Sequence, residues 1–339
     1  MKRIAYLLVF MTFGVACNTQ PTDIIITVTG EISTDQIGLT LAHEHVLVDF
    51  IGADLSEPPR YNSDEAFKVI LPHILEIKNL GVNTFIECTP RYLGRDPLLL
   101  KRLSEETGIN FITNTGFYGA VSNKYIPEAV MKMPAETIAA FWIAEFQQGI
   151  DKTGIRPGFI KIGVESGELS PFHQTLVKAA ALAHKATGLT IKSHTGKAIP
   201  AFQQIEIIQS EGVKPDAFIW THAHNEKDLT KHVKAAKMGA WISIDGFWGG
   251  TDKAEELAEM VVNMKKNNCL HRLLLSQDTG WYDPDKPNGE NYQPHTPLFK
   301  ELIPALNEAG ITGADMHQIL VLNPGKAFAV KKRVVNGEY

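Results

Sequence analysis

The chain has 339 residues, a formal net charge of −5 and a hydrophobic content of 44%. This length suffices for one large α/β domain or two smaller ones. The mild acidity argues against nucleic acid as the main partner, because binding to a phosphate backbone needs a basic face. Three cysteines are too few for a disulfide framework, and nothing in the sequence pairs Cys88 with Cys269.

The first 16 residues have the pattern of a secretory signal peptide. Lys2 and Arg3 precede an apolar run over 4–16 that is too short to span a bilayer comfortably as a mature helix. The stretch GVAC resembles the lipobox of bacterial lipoproteins, although Gly14 stands where that box usually has leucine. The resemblance implies that Cys17 is lipidated after cleavage.

Three segments are therefore expected: a signal peptide over 1–16, the lipidated cysteine and a polar tether over 17–22, and a single domain over 23–339. The protein would be exported and either periplasmic or anchored in the outer membrane. The alternative is a plain signal peptide followed by an incidental cysteine.

Short strand-like runs alternate with helical patterns through the remaining chain, after an expected hairpin over 23–36 and before a helical segment over 313–330. Eight strands are expected near 39–43, 83–88, 110–115, 158–164, 189–194, 216–222, 240–245 and 272–278. Eight helices are expected near 64–80, 97–107, 135–150, 172–187, 199–211, 226–238, 252–267 and 296–309. Asp96 followed by Pro97 is typical of a helix start.

Most of these strands are apolar on both faces, as in a parallel sheet that is covered by helices. Eight strands that alternate with eight helices predict an α/β fold, a (β/α)8 TIM barrel with a short N-terminal β-hairpin and a C-terminal helical extension. A doubly wound open sheet is the alternative, but no GxGxxG motif follows the first strand.

Histidines, a lysine and an aspartate stand at the carboxyl ends of several predicted strands, where barrel enzymes place their working residues. His43 and His45 in LAHEHVLVD lie two positions apart and therefore share one face of a strand. The other polar residues at strand ends are Lys161 in GFIKIGV, His194 in IKSHTG, His222 and His224 in IWTHAHN, and Asp278 in LLLSQD.

Each of these residues taken alone has a structural explanation, such as a buried imidazole, a paired lysine or a helix cap. Taken together they indicate a metal site, because imidazoles and carboxylates are ligands of zinc and its neighbours. A lysine carbamylated by carbon dioxide becomes an anion with two oxygens, and these oxygens can bridge two metal ions.

Eight ordered motifs between about Gly30 and Phe328 resemble those of the phosphotriesterase family of the amidohydrolase superfamily. The motifs are HEH, ECTPRYLGRD, TNTGFY, GFIKIG, SHTG, the segment TH…DL, LSQD and NPGKAF. The resemblance implies a binuclear metal hydrolase in a barrel, and a homodimer.

The resemblance also implies a role for each matching residue. His43, His45 and Asp278 would bind the buried metal ion, His194 and His222 the more exposed one, and N6-carboxylated Lys161 would bridge both. His224 shares a strand face with His222, so alternation does not separate them. The spacing to Asp228 and Leu229 favours His222.

The implied reaction is hydrolysis of an ester bond in a small-molecule substrate, namely a lactone, a carboxylic ester or a phosphotriester. Two divalent ions, with zinc expected first and cobalt, manganese or iron as alternatives, would hold a bridging hydroxide. Lys161 and Asp278 are the expected catalytic residues, with Asp278 as the proton acceptor. The alternatives are an amidohydrolase acting on cyclic amides or sugar lactones, and a non-catalytic surface binding lipoprotein.

Aromatic residues near the strand ends are candidates for a substrate pocket. Tyr118 matches a tyrosine of the lactonase branch that lies over the metals, and the alternative is a packing role. The same branch has an arginine where this chain has Gly246, which argues against acyl-homoserine lactones as substrates. Four aromatic residues of the last two loops are expected either to line the pocket or to pack the loops on the barrel: Phe247, Trp248, Trp281 and Tyr282.

Overall fold

The computed structural model describes residues 23–57 and 59–335. The expected signal peptide, Cys17 and the tether lie outside the described residues, so these remain predictions. Within the described part of the chain, no helix is both long and apolar enough to cross a membrane.

A closed barrel of parallel strands follows an N-terminal hairpin, as predicted. The hairpin pairs β1 (Ile24–Thr27) with β2 (Gly30–Ser33). The barrel strands are β3 (Thr40–Leu47), β4 (Thr84–Glu87), β5 (Asn110–Ile112), β6 (Asn114–Thr115), β7 (Phe159–Gly163), β8 (Thr190–His194), β9 (Phe218–Thr221), β10 (Trp241–Ile244) and β11 (Leu273–Leu275). Neighbouring strands are parallel and in chain order, with β5 and β6 as two halves of the third strand.

The barrel closes between its last and first strands. The amide of Asp278 donates to the carbonyl of His43 (3.1 Å), and the amide of His45 donates to the carbonyl of Thr279 (2.9 Å). A short strand, β12 (Gly280–Tyr282), then continues beside β3. Gly280 has a φ of +106°, and a Cβ there would lie 1.7 Å from the carbonyl oxygen of His45, so this approach requires glycine.

Helices cover the outside of the barrel at the predicted positions, and one short helix, α3, was not predicted. They are α1 (Ser63–Asn79), α2 (Pro97–Thr107), α3 (Glu128–Met131), α4 (Ala135–Gln148), α5 (Pro171–Thr187), α6 (Ala198–Ser210), α7 (Leu229–Met238) and α8 (Thr251–Lys266). The predicted start of α2 is confirmed, because the Asp96 carboxylate accepts hydrogen bonds from the amides of Leu98 and Leu99.

The last predicted barrel helix and the C-terminal extension contain π-helical turns. The segments are Leu298–Leu302 (π), α9 (Ile303–Glu308), α10 (Gly313–His317), Gln318–Leu322 (π) and α11 (Asn323–Ala327). Phe328, which follows α11, packs edge-on against Phe159 of β7 with the ring centroids 5.5 Å apart. Phe159 lies two residues before Lys161 on the same face of β7, so this contact seals the barrel one layer below the site.

Most barrel strands are shorter than predicted, and for β9 and β11 the difference has a local cause. The chain over Pro215–Ala217 forms a 3-10 turn before β9 begins. Regular pairing of β11 ends at Leu275, because the residues that follow donate to the carboxylate of Glu44 instead. The (β/α)8 prediction is confirmed, and the doubly wound alternative is wrong.

Candidate metal centre

Barrel closure brings the two histidines of β3 against the aspartate that follows β11. Oδ1 of Asp278 lies 3.1 Å from Nε2 of His45 and 3.5 Å from Nε2 of His43. Asp278 has a left-handed backbone with a φ of +61°. This conformation is uncommon for residues other than glycine, and such strain is often found at functional sites.

His194 and His222 complete a cluster of four imidazoles around this carboxylate. The ring centroid of His222 lies 4.9 Å from that of His43 and 4.4 Å from that of His194. His222 also has a left-handed backbone, with a φ of +57°, directly after β9. Candidate ligand atoms of His43, His222 and Asp278 all lie within 4.8 Å of one another, a spacing close to that around a single metal ion.

Lys161 lies below the histidines with its side chain buried. It is paired with Lys192 of β8, and Gly163 is paired with His194, so Lys161 stands one layer below His194. A Cβ on Gly116 would lie 1.9 Å from the carbonyl oxygen of Lys161, so glycine allows the third strand to approach β7. Burial lowers the pKa of Lys161 and favours the neutral amine, the form that reacts with carbon dioxide.

Asp245, at the end of β10, holds two of the histidines in one orientation. Its carboxylate accepts hydrogen bonds from Nδ1 of His43 (3.0 Å) and from Nδ1 of His222 (2.9 Å). Burial by itself raises the pKa of Asp245, but the adjacent His222 and His43 hold it well below the usual range. The ionised carboxylate therefore keeps the proton on Nδ1 and leaves Nε2 of both rings for a metal ion.

Ser243 and Lys192 extend this network into the barrel. The Ser243 hydroxyl donates to Asp245 (2.6 Å), and the Lys192 ammonium lies 3.5 Å from the Ser243 oxygen. Neither Asp245 nor Lys192 was predicted from the sequence to belong to the site. The available signals were an aspartate at the end of the seventh strand and a lysine two residues before His194 in a strand with two buried faces.

The donor set fits divalent metal ions. Burial lowers the pKa of His43 and of His194 well below the usual value, so both imidazoles are neutral, the state that binds metal. For His45, the third imidazole, Nδ1 contacts the Thr89 hydroxyl at 2.8 Å, which again leaves Nε2 facing Asp278. Imidazole and carboxylate together suit zinc and related ions.

Comparison with known proteins places this site in a family. The phosphotriesterase family matches residues 24–328. The chain belongs to this family. The family is known for binuclear metal sites, and together with the His and Asp cluster it identifies the chain as a metal-dependent hydrolase.

Three relatives illustrate the range of the phosphotriesterase family. A phosphotriesterase homology protein of Escherichia coli K12 is 29% identical over 299 residues, covering 88% of this chain and 100% of that protein. An aryldialkylphosphatase of Saccharolobus solfataricus is 26% identical, covering 88% of this chain and 97% of that protein. An N-acetyltaurine hydrolase of Xenopus tropicalis is 26% identical, covering 88% of this chain and 95% of that protein.

Within this family site, His222 and His224 occupy different places. The ring centroids of the two residues are 5.9 Å apart, and Nδ1 of His224 lies 3.5 Å from Oδ1 of Asp245. A Cβ on Gly246 would lie 2.2 Å from Nε2 of His224. His222 therefore lies with His43 and Asp278, while His224 lies with His222 and Asp245 in a second group of possible metal ligands, in space that Gly246 leaves open.

Substitution of Gly246 is expected to displace the His224 ring. Gly246→Ala should destabilise the fold by about 1–3 kcal/mol through overpacking. It should also lower kcat/KM. His224→Ala removes the clashing ring, so the double variant should be more stable than the sum of the single effects, with a coupling of about 0.5–3 kcal/mol. Urea unfolding of the four proteins measures this coupling. Additive free energies would show that the two residues are not in steric contact.

The aromatic residues that are candidates for the substrate pocket lie in different environments. The Tyr118 hydroxyl lies 3.1 Å from Nδ1 of His194, so this residue adjoins the ligand cluster. Trp248 is exposed, and its indole NH donates to the Asp278 carbonyl (3.0 Å) while its ring meets the edge of Trp281. Phe247 is fully buried in the main hydrophobic core, so the structure corrects its placement in the pocket in favour of the packing alternative.

Glu44 stands between the two histidines of HEH in sequence but points away from the ligand cluster. Its Oε1 accepts from the Ser276 hydroxyl (2.6 Å) and from the Gln277 amide (3.0 Å). Its Oε2 accepts from the amide and hydroxyl of Thr279 (2.9 and 2.8 Å) and contacts Nδ1 of His295 (3.0 Å). These bonds flank Asp278 on both sides and hold its left-handed backbone.

Glu87 is expected to make stability depend on pH. Burial raises the pKa of this carboxyl from 4.5 to about 8. Between these values the folded protein holds a proton that the unfolded chain has lost, so stability falls as the pH rises through this window. Glu87→Gln should remove this part of the pH dependence. Thermal unfolding of chelator-treated protein from about pH 5 to pH 9 measures the difference. Parallel curves for the two proteins would contradict the assignment.

Proposed function

We propose that the chain is a binuclear metal hydrolase that cleaves ester bonds at a carbonyl carbon, in lactones or simple carboxylic esters. The observation that carries this proposal is the convergence of four imidazoles, Asp278 and buried Lys161 at one end of the barrel. Phosphotriesters, which carry a phosphoryl centre, are the alternative ester substrate. Hydrolysis of an N-acyl amide is a second candidate, and the relatives named N-acetyltaurine hydrolase favour it.

The proposed metal ligands are His43, His45 and Asp278 for one ion and His194 and His222 for the other, with Lys161 shared. Two ions held in this way supply an activated water at neutral pH and a Lewis acid for the substrate oxygen. Asp278 accepts the proton that is released. Burial raises the pKa of Asp278, but His43, His45 and His222 hold it far below the usual range, so the carboxylate is ionised before the reaction.

Lys161 serves as a shared ligand only after it has become an anion. Its neutral Nζ attacks the carbon of carbon dioxide, a carbon–oxygen electron pair moves onto oxygen, and one proton leaves the nitrogen. The product is a carbamate with one negative charge and two oxygens. The lowered pKa of Lys161 favours this step, because a protonated ammonium has no electron pair to donate.

Tyr118 limits the space beside His194. Its hydroxyl contacts the ring of His194, and its own ring lies edge-on to that imidazole with the centroids 5.0 Å apart. Burial raises the pKa of the phenol, so it remains protonated and is available as a hydrogen-bond donor. We propose that Tyr118 positions the substrate carbonyl.

The function is tested with zinc-loaded protein in bicarbonate buffer. Values of kcat/KM are measured on one preparation for a simple lactone, an aryl acetate, an aryl phosphotriester and an N-acetyl amide. The proposal predicts that the lactone or the aryl acetate is the best substrate. A clear preference for the phosphotriester or the amide would overturn the carbonyl-ester assignment. If the protein binds two metal ions but turns over none of the four substrates, hydrolysis of all four classes is ruled out.

We also propose a lipid anchor at Cys17 and a homodimer. Incorporation of labelled palmitate by the producing bacterium, compared with Cys17→Ser, tests the anchor. Release of the serine variant from membranes is the expected result, and equal membrane association of both proteins would overturn the proposal. Sedimentation equilibrium of the detergent-solubilised protein tests the dimer, and a single mass equal to the monomer would overturn it.

A further inference from the structure

A buried hydrogen-bond network joins the long loop over 283–297 to the backbone around Asp278. The loop follows β12 and contains His295, whose side chain is fully buried. Nδ1 of His295 lies 3.0 Å from Oε2 of Glu44 and 2.9 Å from the hydroxyl oxygen of Thr279. Thr279 follows Asp278 directly, so this loop reaches the backbone of the proposed metal ligand.

The contacts of His295 decide which of its ring nitrogens carries the proton. The Thr279 hydroxyl donates its own proton to Oε2 of Glu44, so Nδ1 of His295 must be the donor to both oxygens. In the neutral ring Nε2 is then an acceptor, and the Tyr292 hydroxyl lies 2.9 Å from it. Burial raises the pKa of the Tyr292 phenol well above its usual value, so the hydroxyl keeps its proton and donates to Nε2.

Packing holds the rings of Tyr292 and His295 in place. The Tyr292 ring stacks on His73 of α1 with the ring centroids 4.4 Å apart and an interplanar angle of 27°. It meets the His295 ring edge-on, with the centroids 5.6 Å apart. Phe85 of β4 also meets the His295 ring edge-on, at 5.1 Å. The two rings are therefore confined on several sides, and the hydrogen bonds decide the tautomer rather than the position of the imidazole.

Gln277, the residue before Asp278, binds the backbone of the same loop. Its side-chain NH2 donates to the His295 carbonyl (2.8 Å), and its side-chain oxygen accepts from the amide of Leu298 (2.8 Å). Its backbone amide donates to Oε1 of Glu44 (3.0 Å). The end of the loop and the residues on both sides of Asp278 therefore form one hydrogen-bonded unit around the Glu44 carboxylate.

We propose that His295 and Tyr292 are positioning residues of the metal centre. His295 donates to the Glu44 carboxylate, and Tyr292 selects the tautomer in which it can do so. Glu44 in turn holds the residues that flank Asp278 and its left-handed backbone. Partners behind a metal ligand orient it and tune its affinity for metal. This inference rests on the proposed hydrolytic function, but its effect on metal binding is measured separately from hydrolysis.

Tyr292→Phe removes the hydroxyl and keeps the ring that stacks on His73. Nε2 of His295 then loses its donor, so the tautomer with the proton on Nε2 becomes populated. In that tautomer the Nδ1 lone pair faces Oε2 of Glu44, and the carboxylate loses a hydrogen bond. We expect the affinity for cobalt to fall about tenfold, at the lower end of the effects of outer partners. The absorption spectrum of the cobalt-loaded protein should change, and kcat should fall with KM retained.

Tyr61→Phe is the matched control for this variant. The Tyr61 hydroxyl also donates to a carboxylate, that of Asp96 (2.5 Å), but this carboxylate caps α2 and makes no contact with the ligand cluster. Loss of this bond should leave the cobalt affinity within about twofold of the wild type and the cobalt spectrum unchanged. If Tyr292→Phe also keeps the wild-type affinity and spectrum, the positioning role is overturned.

Two substitutions of His295 with nearly the same shape separate the donor from the bulk of the ring. The side-chain NH2 of His295→Asn can donate to Glu44 from the place of Nδ1, whereas His295→Leu has no donor. We expect His295→Asn to keep the cobalt affinity within about threefold of the wild type and His295→Leu to lower it at least about tenfold. Tyr292→Phe should have no further effect in the His295→Asn protein. Equal affinities in the asparagine and leucine variants would overturn the inference.

Nuclear magnetic resonance separates this inference from the proposed function. In chelator-treated protein with ¹⁵N-labelled histidine, the ring nitrogen shifts report the tautomer of each imidazole, and His295→Asn identifies the signals of His295. The wild type should have the proton on Nδ1 of His295, and Tyr292→Phe should shift these signals towards the other tautomer. A wild-type proton on Nε2 would overturn the inference. Failure of the wild type to hydrolyse any ester would count against the proposed function alone.

Discussion

Lys161→Met is expected to abolish binuclear metal binding and hydrolysis while the barrel remains folded. Methionine has a similar length and is apolar, so it fits a position that is 1% exposed, but it forms no carbamate. Loss of a hydrogen-bond partner of a metal ligand typically lowers activity by roughly 10–100-fold. Loss of the shared ligand itself should lower kcat/KM by more than this. Metal analysis should find fewer than two ions per chain, and circular dichroism should be unchanged.

A second variant at this position tests whether a carboxylate is what the site requires. Lys161→Ala leaves space below His194, and added acetate should bind there and restore part of the metal content and activity. Lys265→Met, on the outside of the barrel, is the control and should retain full activity in the presence or absence of acetate. Full turnover by Lys161→Met would contradict the proposed role of Lys161. The role would also be contradicted if wild-type protein bound the same amount of metal whether or not carbon dioxide was present during its preparation.

Glu44→Gln is expected to weaken both the fold and the metal centre. The carboxylate is fully buried and accepts bonds from Ser276, Gln277 and Thr279. An amide presents an NH2 group to some of these donors, and hydrogen bonds to a charged acceptor contribute about 1.5–3 kcal/mol each. We expect a loss of roughly 2–5 kcal/mol in the free energy of unfolding.

The effect of Glu44→Gln on metal binding distinguishes positioning from simple stability. Asp278 should lose its fixed left-handed backbone, so metal affinity should fall by about 10–100-fold at temperatures where the variant is folded. Spectra of the cobalt-loaded protein should report the altered ligand geometry. Glu76→Gln is the control, because this partly exposed glutamate pairs with Lys300 on the surface, and the substitution should change stability by less than about 0.5 kcal/mol. Unaltered cobalt spectra in Glu44→Gln would contradict its positioning role.

The fold and most of the candidate ligands could be predicted because both leave local signals. Strand and helix periodicities predict the barrel, and barrel topology alone places strand ends on one rim. His43, His45, Lys161, His194 and Asp278 were therefore identified from their strand positions, and the structure brings them together. The roles of these residues as metal ligands remain predictions that the experiments above test.

Contacts across the barrel could not be predicted in this way. Periodicity shows which face of a strand a residue occupies but not which atoms it meets on another strand, which depends on register. Asp245 bonds to histidines of the first and sixth strands, and Glu44 bonds to the segment after the eighth. Neither pairing has a counterpart in local sequence spacing.

The sequence by itself determined the class of the fold, the residue types of the site and the family resemblance, because these depend on periodicity and on motif order. Only the tertiary structure showed that the rings of His222 and His224 lie in different places, because the left-handed backbone at His222 breaks the alternation of an extended strand. It also decided that Phe247 packs in the core while Trp248 stands in the opening. Both outcomes depend on how a loop leaves its strand, and this is decided by packing against the completed barrel.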